Sequence, residues 1–121
     1  MKVIIAGSRD LSLSTNAIED AVKASGFDVH EVVSGGARGV DRSGERWAHE
    51  THCLVRIFQA EWEKYRRPGR KNPAGPIRNG QMAEYADALI AIYRKGKLTP
   101  GTLDMIRQAR AKSLRVYEHE V

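Results

Sequence analysis

The chain is poor in the residues that would place it outside an ordinary globular protein. A single cysteine, Cys53, in 121 residues excludes an internal disulfide framework and makes a reducing, cytoplasmic setting the expectation. No apolar run approaches the roughly 20 residues that span a bilayer, so no membrane partner is expected. Residues 1–7 are too short in their apolar part for a secretory leader and read as a first strand. Metal-ligating side chains are sparse: His49, His52 and Cys53 stand together with no further ligands nearby to close a site, so no metal and no required cofactor are expected. Internal repeats and low-complexity tracts are absent.

What is present fits one domain over residues 1–121. A hydrophobic content of 41% with 29% charged residues is the balance of a folded chain, not a disordered one. The net charge is +5, and it is concentrated: residues 60–80 hold six basic side chains against two acidic ones, which accounts for four of the five charges. Such a segment attracts anions, nucleotide or nucleic acid alike.

Strand and helix signals alternate along the whole chain. Strands are expected at residues 2–6, 30–34, 53–58, 87–93 and 114–117. Helices are expected at residues 14–25, 40–51, 76–85 and 101–111. In the first helix Ala17, Ile18, Ala21 and Val22 form one apolar stripe, with Ser14, Thr15 or Asn16 as cap and Gly26 where a left-handed C-terminal residue belongs. Residues 59–75 make a loop longer than ordinary strand-to-helix connections, and it carries Trp62, Tyr65, Pro68 and Pro73. The alternation predicts an α/β fold: a Rossmann-like, doubly wound sandwich of about five parallel strands with helices on both faces. Ligands of such folds sit beyond the carboxyl ends of the strands.

The candidate residues fall at those ends. Val32 and Val33 run into Ser34-Gly35-Gly36-Ala37-Arg38-Gly39-Val40-Asp41, a strand feeding a helix through three glycines. Glycines allow positive φ and close approach of an anion to the backbone, and the helix N-terminus adds free N–H groups. Ser34, Gly35, Gly36, Gly39 and the Ala37 amide are therefore candidates to cradle phosphate, with Arg38 as a bidentate partner. The spacing is neither that of the dinucleotide fingerprint nor that of the P-loop. Gly7, Ser8 and Arg9 form a shorter anion loop after the first strand, and Gly101 with Thr102 offers another helix N-terminus. Arg78 falls in the first turn of the third helix, where the dipole disfavours a cation unless an anion joins it. Asp41 and Glu45 lie four apart on one helix face, with Asp41 the better candidate for a ribose hydroxyl or proton transfer. Glu61 is a similar candidate at the end of the third strand. Trp62 and Tyr65 suit base stacking, whereas Trp47 falls on an apolar stripe and reads as core.

The ordered set Gly7-Ser8-Arg9-Asp10, Ser34 to Asp41, Ala60-Glu61-Trp62, Ala74-Gly75-Pro76-Ile77-Arg78-Asn79 with Met82, Ala86-Asp87 and Gly101-Thr102 resembles the YspA-like branch of the SLOG superfamily. That superfamily also includes the LOG-type phosphoribohydrolases and the DNA-processing protein DprA. The resemblance implies a Rossmann-like fold that binds nucleotides or nucleotide-derived ligands at the glycine-rich rim, Asn79 among the contacts. The LOG pattern Arg-Lys-x-x-Met followed by Ala-Asp is similar to Arg78-Asn79-Gly80-Gln81-Met82 followed by Ala86-Asp87, which puts Arg78 at a catalytic arginine. Their glutamate, three residues after a Gly-Thr pair, is replaced here by Met105, and a thioether is neither acid nor base. The neighbouring Asp104 points about 100° away on a helix.

Three functions are therefore expected in order: binding of a nucleotide or its derivative as sensor or carrier; hydrolysis of an N-glycosidic or phosphate-ester bond using Arg78 with Asp41, Glu61 or Asp104; and binding of single-stranded nucleic acid through the basic loop. Superfamily relatives commonly dimerise, and the helix bearing Met82 and Tyr85 is the candidate face for a homodimer.

Overall fold

The computed structural model describes residues 1–121. Its elements are β1 (Lys2–Gly7), α1 (Thr15–Ser25), β2 (Glu31–Ser34), α2 (Val40–Glu50), β3 (Leu54–Ile57), α3 (Ala74–Tyr85), β4 (Ala88–Tyr93), α4 (Pro100–Ala111) and β5 (Arg115–Glu120). All pairings are parallel, in the spatial order β3-β2-β1-β4-β5. The expected α/β doubly wound sandwich is the observed architecture.

The side-chain alternation of the two central strands explains the layering. Val3 and Ile5 of β1, with Ala88, Ile90 and Ile92 of β4, point to one face and pack against Ile18, Ala21 and Val22 of α1 and Val40, Trp47 and Ala48 of α2. Ile4 and Ala6, with Leu89, Ala91 and Tyr93, point to the other face and meet Met82 and Ala83 of α3 and Met105, Ile106 and Ala109 of α4. Strands covered on both faces have no polar side, which is why β4 is wholly buried. β3 has a neighbour on one side only, and Leu54 remains 68% exposed there.

The chain starts at the centre, winds outward through α1 and α2 to β3, then crosses back over the other face to β4. β1 and β4 are therefore the pair whose following helices leave in opposite directions, and the crevice between their carboxyl ends is the switch point at which such folds bind ligands. At Gly7, the end of β1, an added Cβ would lie 2.0 Å from the Ile92 carbonyl oxygen of β4. Only glycine lets the two strands stay paired there.

Helix boundaries follow their caps. Ser14 Oγ accepts the Ala17 N–H at 3.1 Å, and Gly26 closes α1 at φ 74°. α3 begins two residues earlier than the proline signal predicts, because Asn72 Oδ1 accepts the Ala74 N–H at 3.0 Å and starts the helix there. Arg78 consequently sits in the second turn, so the dipole argument for it does not hold. α4 opens on Pro100, whose missing N–H suits a first helical position. β5 runs to Glu120 because its polar end is carried by pairing with Tyr93. On the helix named as a candidate partner face, Met82 points inward and is 2% exposed beneath α3. Tyr85 bonds Glu31 through its hydroxyl and lies under Lys2, whose Nζ is 4.2 Å from the ring centroid.

Gly7→Ala should destabilise the protein by about 2–3 kcal/mol or more, as overpacking against backbone does. Urea unfolding measures this, and a loss under about 0.5 kcal/mol, typical of a neutral surface change, would contradict the packing described.

Candidate functional site

A cleft of about 740 Å³ opens at the carboxyl edge of the sheet, floored by Ala6, Gly7, Met82 and Met105. Its walls are the turn after β2, the first half of α3, the start of α4 and Trp62 from the long loop. A second hollow of about 520 Å³ adjoins it on the β3 side, reached over Arg9, Ala37, Arg38, Trp62 and Arg78.

The glycine turn is built from the inside. Gly36 and Gly39 take φ 72° and 79°, and an added Cβ at Gly39 would strike the Ser8 carbonyl oxygen at 2.4 Å. The turn's amides are not all free. Gly36 N–H donates to Ser34 Oγ at 3.1 Å, and Ala37 N–H donates to Asp41 Oδ2 at 3.2 Å. Ser34 is fully buried, and its hydroxyl donates to Glu45 Oε2 at 2.5 Å. Ser8 is buried too, and its carbonyl accepts from Val40 N–H at 3.2 Å, pinning the start of α2 to the end of β1. Ser34 and the Ala37 amide thus shape the turn and do not present themselves to the cleft as open donors, and Ser8 lines neither hollow. Gly35 does make room. An added Cβ there would fall 2.6 Å from Arg78 Nη1 and 2.9 Å from Asp41 Oδ2, so guanidinium and carboxylate converge over the one residue without a side chain.

Arg78 is held by two neutral acceptors. Its Nη1 donates to the Gly35 carbonyl at 2.6 Å and its Nε to Asn79 Oδ1 at 3.0 Å. Asn79, 6% exposed, is fixed in turn by Asp104 Oδ2, which accepts from Asn79 Nδ2 and from Gln108 Nε2, both at 2.9 Å. Gln108 Nε2 also donates to the Pro76 carbonyl at 2.8 Å. The chain of bonds ties α3 to α4 and aims the guanidinium at the cleft. None of the five ion pairs closer than 4.0 Å involves Arg78. Burial therefore lowers its pKa, only partly offset by the charge of Asp41.

Asp41 is 6% exposed, and burial pushes its pKa up to about 6 against the pull of the Ala37 amide, Arg78 and Arg9. Glu45 on the next turn adds to the rise. A carboxyl that titrates near neutrality in a cleft is able to accept and return a proton.

Most residues singled out from the sequence meet here: Gly7, Arg9, Ala37, Arg38, Asp41, Trp62, Arg78, Asn79, Gly101 and Thr102 all line the cleft, and Gly35 and Gly36 line the adjoining hollow. Thr102 is buried, its hydroxyl 3.0 Å from that of Thr99. Arg9 approaches the Trp62 ring, Cζ to centroid 6.0 Å. Glu61 lines neither hollow: it faces solvent and pairs with Lys64 at 3.5 Å. Tyr65 also lies outside, beneath Lys64 Nζ at 5.4 Å. Trp47 is core, as its stripe predicts. The sequence reading missed Asn72, whose Nδ2 donates to the Trp62 carbonyl at 2.8 Å while its Oδ1 caps α3. An asparagine shortly before a proline-containing helix start is the signal that would have found it.

A parallel sheet wound in both directions, with a cleft at its switch point, defines a Rossmann-like domain in architecture. The family model for the YspA, cpYpsA-related SLOG family matches residues 1–65, and the chain belongs to that family. The Gene 61 protein of Mycobacterium phage D29 is 29% identical over 123 residues, an alignment covering 95% of this chain and 93% of that protein. The X-ray structure of DNA processing protein A (DprA) from Streptococcus pneumoniae shares the fold, with a TM-score of 0.72 at 19% identity over 97% of this chain. This chain spans 49% of that one. No helix is long and apolar enough to cross a membrane.

The raised pKa of Asp41 has a sign that can be checked. The folded state holds this proton more tightly than the unfolded state, so stability from Asp41 is present below about pH 4 and is lost as pH rises through about 6. Relative to Asp41→Asn, the wild type should lose roughly 3 kcal/mol between pH 4 and pH 7, from a shift of about two pKa units. Urea unfolding of both proteins at the two pH values measures it, and a difference that does not move with pH would refute the burial effect.

Proposed function

We propose that the protein binds a nucleotide or nucleotide-derived small molecule in the cleft at the carboxyl edge of its sheet, as a sensor or carrier. The observation that carries this reading is Arg78. A half-buried guanidinium with no carboxylate within ion-pair distance is costly unless an anion completes it, and its two bonds to neutral acceptors leave donors unused. Arg9 and Arg38 on the same rim add positive charge. Trp62, 45% exposed at the mouth, supplies a face for a base, and Asp41 supplies an acceptor for sugar hydroxyls.

Replacing Arg78 by alanine should weaken ADP binding roughly 10- to 100-fold, the value of a charged hydrogen-bonding contact. Lysine should not restore it, because a point charge lacks the fork that grips both Gly35 and the ligand. Calorimetry on the three proteins decides this, and unchanged affinity in the alanine variant would count against the reading.

A second reading, hydrolysis of an N-glycosidic bond, is favoured by Asp41 alone: a cleft carboxyl with a pKa of about 6 suits general acid–base work. Met105, 1% exposed on the cleft floor, contributes no proton chemistry. Incubation with nucleoside monophosphates should then release free base in wild type and not in Asp41→Asn. Release that persists in the variant, or none in either, removes this reading.

A further inference from the structure

We propose that the rim takes a ligand whose charge is central, two end groups joined through a phosphate or pyrophosphate bridge, and not a mononucleotide that ends in phosphate. This rests on the nucleotide reading and narrows its ligand class. The cleft and the adjoining hollow share five residues, and three of the five are Arg9, Arg38 and Arg78. Positive charge is thus concentrated at the junction, not at the end of either lobe.

The lobes themselves differ from the junction. Apart from the shared residues, the larger lobe carries Asp41 and Asp104, and Asp10 paired with Arg38 at 3.9 Å, against a single cation, Lys71. A terminal phosphate placed there meets the carboxylates of Asp41 and Asp104. The smaller lobe adds only Gly35, Gly36, Gln59 and Ala60, none of them charged. A phosphate pushed into it moves away from the cations and gains none. A bridge over the junction keeps its charge beside the unpaired guanidinium groups of Arg9 and Arg78, with Arg38 shared with Asp10, and their weak hydration and planar donors suit phosphate oxygens.

The end groups then have complementary surroundings. Carboxylates are pure acceptors, so the larger lobe suits a hydroxyl-rich end such as a ribose. Asp104 Oδ2 is already taken by Asn79 and Gln108, which leaves its other oxygen and Asp41 Oδ1 for that role. In the smaller lobe a flat base stacks on Trp62, against which Arg9 already lies. Gln59 has one donor pair and one acceptor in its amide, makes no hydrogen bond within the protein, and offers both to a base edge.

The test compares ADP with ADP-ribose by calorimetry on the intact protein at one ionic strength. ADP carries the greater negative charge, so simple attraction to a basic rim favours ADP. The bridged ligand is expected to bind about tenfold more tightly than ADP. Gln59→Ala, a change on the exposed rim, is expected to weaken ADP-ribose several-fold and leave ribose 5-phosphate unaffected. Equal or tighter binding of ADP overturns the bridged class while the nucleotide reading stands. An unchanged ADP-ribose affinity in Gln59→Ala overturns the use of the second lobe. No binding of either ligand at millimolar concentration overturns both this inference and the reading beneath it.

Discussion

The bond from Arg78 to the Gly35 carbonyl, 2.6 Å long, is the contact on which the rim depends. It joins α3 to the turn between β2 and α2, two pieces of chain on opposite sides of the sheet's switch point, and it forms only because residue 35 has no side chain to occupy the space. The arginine reaches it from α3, whose start is set by Asn72 and whose neighbour α4 braces Asn79 through Asp104. Loss of any of these would let the guanidinium relax toward solvent, where it is worth little to a ligand.

Charge at the rim is arranged as opposition. Asp41 and Arg78 converge over the same glycine without pairing closely, so each leaves the other partly uncompensated. Burial raises the pKa of the acid and lowers that of the guanidinium, the cost each charge bears where it is not fully paired. Structural ion pairs are normally arranged to complete one another. This one is left open, and openness in a cleft is a mark of function. The glycine turn serves a different end from the one its composition suggests. Two of its amides are satisfied by Ser34 and Asp41, so the turn positions side chains as much as it offers backbone donors.

Much of this was legible in the sequence. Alternating strand and helix signals fixed the class of fold, while the strand order that puts β1 and β4 at the centre came only with the structure. The clustering of Gly7 to Arg9, Ser34 to Gly36, Gln59 to Trp62 and Gly101-Thr102 at strand ends pointed to the rim. What could not be read was set by three-dimensional contact. Glu61 stands one residue before Trp62 in sequence, yet the loop turns the glutamate to Lys64 and solvent and the indole to the cleft. Ser34 looks like an anion ligand in sequence, but its place at the buried end of β2 gives its hydroxyl to Glu45. Met82 belongs to a helix expected to present a partner face, and only the crossover of α3 over β1 shows that it lies inward. The start of α3 was displaced by a cap that the prolines obscured.

The central claim is that Arg78 awaits an anionic ligand. A crystal structure of the protein soaked with ADP-ribose tests it most directly. The account predicts phosphate density within about 3 Å of the Arg78 guanidinium, the distance of a charge-assisted hydrogen bond, with the bond to Gly35 intact. Density lodged elsewhere on the surface, with the Arg78 donors still unmet, would contradict it.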